Sequence, residues 1–415
     1  MICFGDLKMY YCLVFIGHVD AGKSTIGGQI IRQTGPIDLK TNDDDLRYSL
    51  DTNEEERRRG KTVEVGTAHF TIGDGDVTKH FTLMDAPGHR GFVPNMISGT
   101  AQADIAVLVV SARRGEFETG FEKNGQTKEH ASLARMMGIK HLVVLVNKMD
   151  DHTVNWRQDR FHQCKEAISM WLKKIGYRNV SFIPCSGITG ANIRKKTCSW
   201  YSGPTFFELL DTLSEIDRRT DCRLRLPIVG KYKDTGLVVL GKIESGTCTR
   251  RQHVLIEPGR FEATIDTLSC HGEDVNRAEA GQLVKMKLKG VDDARVAQGM
   301  VVCDEGFGGA TEVTAQLVFT PSQRGIVCAG YKAMCHIHTC VEEATLADIV
   351  CTLDKKTGCI ARKKPRFVRP DEVIIVRMVF ARPVCVERFT DFERFGRIVL
   401  RSDNKTVAFG KILTR

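Results

Sequence analysis

Residues 17–24 read Gly-His-Val-Asp-Ala-Gly-Lys-Ser, and this stretch decides the fold of the first half of the chain. The apolar run Leu13–Ile16 before it predicts a buried strand, and the residues after Gly22 favour a helix. Between a strand and a helix, the pattern G-x-x-x-x-G-K-[ST] turns backbone N–H groups around phosphates, brings its lysine to the β- and γ-phosphates and offers its serine hydroxyl to Mg²⁺. A plain glycine-rich turn is the alternative, and the strand–loop–helix context favours the phosphate loop.

A second motif, Asn147-Lys148-Met149-Asp150, begins 123 residues after Ser24 and predicts a guanine site. The Asp150 carboxylate can accept hydrogen bonds from N1 and the 2-amino group of guanine, whereas adenine offers only a bare acceptor at N1. Asn147 can hold the base from the side, and the Lys148 stem can cover the ring. The apolar run Leu142–Val146 predicts the strand that delivers these residues to the carboxyl edge of an α/β sheet, where ligands bind.

Cys185-Ser186-Gly187 follows the strand-like segment Val180–Pro184. Its backbone can add contacts to the base, and a plain turn at a strand end explains the same residues equally well.

A third motif, Asp85-Ala86-Pro87-Gly88-His89, follows the strand-like segment Phe81–Met84. Here Asp85 can hold Mg²⁺ through water, the Gly88 N–H can contact the γ-phosphate, and His89 can orient the attacking water. A surface-loop histidine is the alternative for His89, and the adjacent D-x-P-G pattern favours the catalytic role.

Thr62 lies just past Gly60 in a segment whose neighbours Glu54–Arg59 predict an ion-paired helical turn. Its hydroxyl can complete the Mg²⁺ shell when a γ-phosphate is present, as in the switch segments of GTPases.

Several stretches resemble known proteins. Gly17–Thr25, Gly60–Gly66 and Asp85–Gly99 resemble the G domain of translational GTPases of the elongation factor 1-alpha type. Within that superfamily, the chain resembles the eukaryotic class-II peptide chain release factors. This closer likeness is carried by Gly60–Gly66, Gly91–Ile97, Gly115–Glu122, Asp151–Trp156, His336–Cys340, Pro365–Val368 and Gly396–Arg401.

The resemblance implies a site for GTP or GDP and Mg²⁺, with catalytic roles for Lys23, Thr62, Gly88 and His89. It places Ser24, Thr62 and Asp85 around the metal, Asp85 through water. The nucleotide-binding residues that it implies are Gly17, His18, Val19, Asp20, Ala21, Gly22, Lys23, Ser24, Thr25, Asp85, Gly88, Asn147, Lys148, Asp150, Ser186 and Gly187. On pattern alone, the strand Gly396–Arg401 favours barrel core over a binding edge. The resemblance implies that the last barrel docks the stop-codon-reading factor, which makes partner binding by Gly396, Arg397 and Arg401 an equal alternative.

Two features depart from that family. Many relatives form a hydrophobic gate from Val19 and an apolar residue before the switch threonine, but here that residue is Lys61. Release factors of this class usually carry a long N-terminal extension that recruits other proteins, whereas sixteen residues precede the phosphate loop here, so we do not expect those partnerships.

Bulk properties bound the remaining possibilities. With 415 residues and 42% hydrophobic residues, the chain suits two or three domains, and a net charge of +9 fits an RNA-rich partner such as the ribosome. The apolar run Met9–Ile16 is too short to span a membrane and lacks a cleavage pattern, so we expect a cytoplasmic protein that does not bind membranes. We also expect a monomer that does not bind DNA. The fifteen cysteines are then expected to be free thiols, and Cys335–Cys340 favours strand packing over a zinc site.

The pattern changes along the chain. Up to about residue 215, strand-like and helix-like stretches alternate, which predicts an α/β P-loop G domain with a doubly wound, mostly parallel sheet over residues 1–215. A charged linker is expected at 216–226. Short strand-like runs with glycine-containing turns then predict two β-barrel domains, at 227–309 and 310–415. The basic cluster Arg362–Arg366 favours a solvated hairpin, with ribosomal RNA or an acidic partner as the alternative.

Together these observations predict a GTPase of translation termination that binds the class-I release factor and hydrolyses GTP on the ribosome. One alternative is a ribosome-rescue GTPase or an aminoacyl-tRNA-carrying elongation factor of the same superfamily. A second alternative is a regulatory scaffold that binds nucleotide without hydrolysing it. The scaffold is disfavoured because Thr62, Asp85 and His89 are all present.

Overall fold

The computed structural model describes residues 7–35, 66–73, 77–88, 92–121, 125–320 and 325–415. Thr62 and His89, which have predicted roles, lie outside the described residues, as do Lys61 and the helical turn predicted at Glu54–Arg59. The chain divides into two compact units, and the boundary between them follows Asp217.

The first unit is built on a six-stranded sheet with strand order β2-β3-β1-β4-β5-β6. Only β2 and β3 pair antiparallel, and every other neighbouring pair is parallel. The strands are β1 (Leu7–Gly17), β2 (Gly66–Ile72), β3 (Val77–Asp85), β4 (Ile105–Ser111), β5 (His141–Asn147) and β6 (Val180–Pro184).

Helices lie between these strands and after the last of them. They are α1 (Lys23–Thr34), α2 (Val93–Gln102), α3 (Glu116–Phe121), α4 (Gln126–Met136), α5 (Gln158–Lys174) and α6 (Phe206–Asp211). All seven residues of β4 are buried, as expected for a parallel sheet covered on both faces. The predicted doubly wound, mostly parallel α/β domain is therefore confirmed.

The second unit begins with a closed antiparallel barrel, in which β10, β15, β7, β8, β14 and β11 pair in turn and β11 pairs back to β10. Its first strand starts at Arg225, inside the segment expected to be a linker. The strands are β7 (Arg225–Asp234), β8 (Gly236–Lys242), β9 (Thr247–Thr249), β10 (His253–Glu257), β11 (Phe261–Cys270), β12 (Glu273–Asp274), β13 (Arg277–Glu279), β14 (Leu283–Lys289) and β15 (Val301–Cys303).

A second closed barrel follows, in which β18, β23, β24, β16, β22 and β19 pair in turn and β19 pairs back to β18. Alternate residues of its strands point into an apolar core. Its elements are β16 (Ala310–Phe319), β17 (Val327–Cys328), β18 (Lys332–Ile337), β19 (Cys340–Leu353), β20 (Ile360–Lys363), β21 (Phe367–Val368), β22 (Val373–Val384), α7 (Glu393–Gly396), β23 (Arg397–Ser402) and β24 (Lys405–Thr414). The two predicted barrels are confirmed.

The histidines of the Cys335–Cys340 segment belong to this barrel. His336 and His338 are both buried, and Nε2 of His338 donates a hydrogen bond to the carbonyl oxygen of Cys385 at 2.9 Å. Among the described residues, no group of three or more histidine, cysteine or acidic side chains is placed to hold a metal ion. Both histidine side chains are therefore packed inside the barrel.

Two further observations concern the described residues only. Their cysteines are free thiols. None of their helices has both the length and the apolar character needed to cross a membrane.

Candidate guanine-nucleotide site

The phosphate loop occupies residues 18–22, between β1 and α1. Its backbone takes left-handed values at Asp20, with φ 60°, and at Gly22, with φ 94°. Gly17 has φ 142°, and a Cβ atom there would lie 2.2 Å from the carbonyl oxygen of Val109. Because this combination of conformation and close approach suits only glycine, the sequence pattern determines the shape of the loop.

The Lys23 ammonium lies inside this loop. Nζ donates hydrogen bonds to the carbonyl oxygens of Gly17 at 3.3 Å and His18 at 2.9 Å. Burial lowers the pKa of Lys23, and the nearby carboxylates of Asp85 and Asp20 oppose that shift. A buried cation held by carbonyl oxygens suits an anionic group such as a phosphate.

Ser24 and Asp85, two of the three predicted metal ligands, meet directly. The Ser24 hydroxyl donates a hydrogen bond to Oδ2 of Asp85 at 2.5 Å, and Asp85 is fully buried at the end of β3. A hydroxyl and a carboxylate are hard oxygen donors of the kind that Mg²⁺ prefers, so these residues fit the predicted ion.

The segment after Asp85 approaches the phosphate loop closely. A Cβ atom on Gly88 would lie 2.6 Å from Nζ of Lys23 and 3.0 Å from the backbone nitrogen of Val19. The structure therefore brings Gly88 next to Lys23, as its predicted role beside the γ-phosphate requires.

Asn147 connects the base loop to two other segments. Its Nδ2 donates to the carbonyl oxygen of Ala21 at 2.8 Å, and its Oδ1 accepts from the backbone N–H of Gly187 at 2.8 Å. Asn147 is almost completely buried. Its side chain therefore fixes the phosphate loop, the end of β5 and the loop after β6 relative to one another, a role that the sequence motif does not reveal.

Other residues predicted to form the base site lie at the same edge of the sheet. Burial raises the pKa of the Cys185 thiol, and the nearby Asp150 carboxylate adds to the shift. Ser186 is fully buried, and its hydroxyl accepts a hydrogen bond from the backbone N–H of Thr189 at 3.1 Å. A Cβ atom on Gly187 would lie 2.9 Å from Cγ1 of Ile26 in α1, so this turn packs directly on the helix that follows the phosphate loop.

Sequence reasoning missed two residues near the site. His130, fully buried in α4, accepts a hydrogen bond at Nδ1 from the backbone N–H of Gly17 at 3.1 Å. Glu116, the first residue of α3, lies 2.8 Å from Nζ of Lys148. Neither residue belongs to a nucleotide motif, although Glu116 lies in a stretch that carried the family resemblance.

The predicted partner-binding residues lie in the second barrel. Arg401 is buried and donates hydrogen bonds to Oγ1 of Thr406 at 3.1 Å and to the carbonyl oxygen of Asn404 at 2.8 Å. Arg397 is partly exposed and pairs with Glu393 at 2.7 Å. Within the second barrel, Arg397 therefore presents more surface than Arg401, whose guanidinium supports the turn between β23 and β24.

Two family models match the chain. The model described as the elongation factor Tu GTP binding domain matches residues 8–218, and the model described as GTP-eEF1A C-terminal domain-like matches residues 312–413.

Curated relatives match over nearly the whole chain. The chain is 41% identical over 436 residues to the eukaryotic peptide chain release factor GTP-binding subunit of Schizosaccharomyces pombe, and 39% identical over 429 residues to the protein of the same name from Zygosaccharomyces rouxii. Both alignments cover 98% of this chain and 64% of the relative, so the chain spans less than two thirds of either relative.

A solved structure supports the fold. The S. cerevisiae Ski7 GTPase-like domain, bound to GDP and inorganic phosphate, aligns with a TM-score of 0.79 at 18% identity and covers 100% of this chain and 99% of that one. Because the first family model covers more than half of the chain and its phosphate and base motifs come together in the structure, the chain belongs to the elongation factor Tu GTP binding domain family.

Proposed function

We propose that this chain is a Mg²⁺-dependent GTPase of translation termination that binds the class-I release factor and acts on the ribosome. The observation that carries the proposal is the bridge made by Asn147, which joins the phosphate loop at Ala21 to the base loops at the end of β5 and at Gly187. A nucleoside triphosphate needs its base site and its phosphate site at a fixed separation, and this side chain supplies that constraint.

Guanine selection follows from Asp150. Its carboxylate would accept from N1 and the 2-amino group of guanine, while adenine would leave the charge without a hydrogen-bond donor. Ser186 and Gly187 would contribute from the opposite loop, where Gly187 is already bound to Asn147.

The metal would be held by Ser24 and Thr62 directly and by Asp85 through water. When bound, Mg²⁺ neutralises charge on the β- and γ-phosphates. The contact between Ser24 and Asp85 supports this assignment because it places two of the three ligands side by side.

Hydrolysis would use residues beside the γ-phosphate. Lys23 and the Gly88 N–H would hold the phosphate, and His89 would orient the attacking water. Because phosphoryl transfer also draws on charge stabilisation that one histidine does not provide, we expect slow hydrolysis by the chain alone and faster hydrolysis on the ribosome.

The partners are inferred from the relatives. Their shared name, release factor GTP-binding subunit, supports a complex with the stop-codon-reading release factor and a cytoplasmic site of action. Gly396 and Arg401 are buried, so the docking site that we propose for that partner is the surface of the second barrel at the partly exposed Arg397.

Calorimetry with the purified chain and Mg²⁺ tests the nucleotide assignment. We expect GTP and GDP to bind and ATP to show no measurable heat at the same concentration. Equal binding of ATP, or no binding of either purine nucleotide, would contradict the proposed site.

Capture of partners in the GTP state tests the biological role. A class-I release factor supports termination, whereas a rescue factor or aminoacyl-tRNA in its place identifies a different translational GTPase. Single-turnover hydrolysis with ribosomes separates all of these from a scaffold, which would bind GTP without cleaving it.

A further inference from the structure

Lys148 of the base motif forms an ion pair with a residue outside that motif. Its Nζ lies 2.8 Å from Oε2 of Glu116, in the first turn of α3. The Lys148 backbone is left-handed, with φ 61°. The ion pair with the Glu116 carboxylate therefore holds the ammonium in place.

The sheet brings these two residues together. Ser111, the last residue of β4, lies opposite Asn147, the last residue of β5, in the parallel register. Glu116 follows Ser111 after one turn, and Lys148 follows Asn147 directly. Their contact is thus a consequence of β4 and β5 being neighbours in the sheet.

Glu116 is itself fixed on both oxygens. The Ser111 hydroxyl donates to Oε2 at 2.7 Å, and Nη1 of Arg113 lies 2.9 Å from Oε1. Partial burial works against the charged form, but hydrogen bonds from Lys148 and Ser111, with the charges of Lys148 and Arg113, hold the pKa of Glu116 below its ordinary value. Glu116 is therefore an ionised, oriented acceptor at neutral pH.

A second carboxylate on α3 provides a comparison. Glu118 pairs with Nη2 of Arg160 at 2.9 Å and accepts a hydrogen bond from the backbone N–H of Gly115 at 2.6 Å. It shares the short helix and the ion-paired state of Glu116, but its bonds run to Arg160 and the start of α3. Only Glu116 of these two acts on the base motif.

We propose that Glu116 is a positioning residue for nucleotide retention, which fixes the Lys148 ammonium so that the lysine stem stays over the guanine ring and slows release. The inference rests on the proposed guanine site. A free lysine side chain has many rotamers, and ordering it costs conformational entropy each time a base binds. An ion pair formed before binding removes that cost and favours the bound state.

Removing the charge while keeping the shape tests the proposal. In Glu116→Gln, we expect GDP and GTP to dissociate about fivefold faster, which corresponds to about 1 kcal/mol. The effect is modest because the side chains of Lys148 and Glu116 are 24% and 33% exposed, so solvent screens the pair. The ratio of GDP to GTP release rates should stay unchanged, since both nucleotides carry the same base. Stopped-flow displacement of a fluorescent GDP or GTP analogue measures each rate.

Glu118→Gln is the matched control, and its release rates should equal those of the wild-type chain. A double-mutant cycle supplies the readout that a merely structural role would not move. Lys148→Met should itself accelerate release, and adding Glu116→Gln to it should change nothing further. Additive effects, or equal acceleration by Glu118→Gln, would overturn the proposal.

A second variant covers the case in which Glu116→Gln does not fold. Glu116→Asp keeps the charge but is one methylene too short to reach Lys148 from the same backbone, so release should again be faster. Wild-type rates in Glu116→Asp would overturn the proposal. Failure of the wild-type chain to bind guanine nucleotide would instead remove the proposed function on which the inference rests.

Discussion

The side chain of Asn147 donates a hydrogen bond to the carbonyl oxygen of Ala21 at 2.8 Å, across 126 residues of sequence. The same side chain accepts from Gly187, so one amide holds three loops at the carboxyl edge of the sheet. In a nucleotide complex, this bridge would make the affinity for the base depend on the geometry of the phosphate loop.

Asn147→Ala should therefore weaken GTP binding as well as stability. The change leaves the buried Ala21 carbonyl and Gly187 N–H without their partner, and each such loss costs about 1–3 kcal/mol. We expect GTP affinity to fall roughly 10–100-fold, measured by calorimetry at a temperature where the variant remains folded.

Asn192→Ala is a matched control in the same unit. Asn192 is equally buried and makes comparable bonds, donating to the carbonyl oxygen of Pro184 at 2.9 Å and accepting from the Thr197 N–H at 2.9 Å. It should lower the melting temperature similarly and change GTP affinity much less. Equal loss of affinity in both variants would mean that Asn147 acts only through stability.

Asp150→Asn should change the base preference. The new amide can donate to the C2 oxygen of xanthine but no longer accepts from both N–H groups of guanine. The affinity for GTP should therefore fall roughly 100-fold or more, while the affinity for xanthosine triphosphate rises. Competition between the two nucleotides measures the switch. Asp151→Asn, whose carboxylate pairs with Arg113 at 2.9 Å, should keep the guanine preference. An unchanged preference in Asp150→Asn would contradict the base assignment.

His89→Ala should separate binding from hydrolysis. The residue is expected to touch the attacking water rather than the nucleotide, so GTP affinity should stay near the wild-type value while ribosome-stimulated hydrolysis falls by about 100-fold or more. Lys23→Ala provides the contrast, because it should lose affinity for GTP itself. Stimulated turnover of His89→Ala at the wild-type rate, measured in a single-turnover assay, would remove the proposed role.

The sequence predicts those parts of the candidate site that depend on local chain geometry. Gly17, Gly22 and Lys23 are recognised from spacing because a strand, a tight loop and a helix follow one another directly. Asp85 and Asn147 are recognised because each ends a buried strand, and parallel strands end at one edge of the sheet.

The contacts that the sequence did not predict depend on which strands are neighbours. The pair Glu116–Lys148 forms because β4 lies beside β5, and hydrophobic patterns do not encode that order. Likewise, Arg225 was expected in a charged linker but begins β7, where its guanidinium is buried against the ring of Phe307 at 4.2 Å and pairs with Glu387 at 3.1 Å. Local charge predicted exposure, whereas contacts distant in sequence provide burial.

The buried histidines of the second barrel should make its stability depend on pH. Burial lowers the pKa of His336 to about 3, helped by the charge of Arg401, and lowers the pKa of His338 to about 4 against the hydrogen bond to Cys385. An unfolded histidine takes up a proton below about pH 6.5, but the folded barrel does not. The free energy of unfolding should therefore fall as the pH drops from 6.5 towards 4, by up to about 1.4 kcal/mol per pH unit for each histidine.

Urea titrations between pH 5 and 7, in which hydrogen exchange and mass spectrometry monitor unfolding of the barrel strands, measure this slope. His338→Asn removes one titrating group and tolerates the left-handed backbone at this position, where φ is 43°, so its slope should be shallower than that of the wild-type chain. An identical slope in the variant would show that His338 does not contribute to the pH dependence.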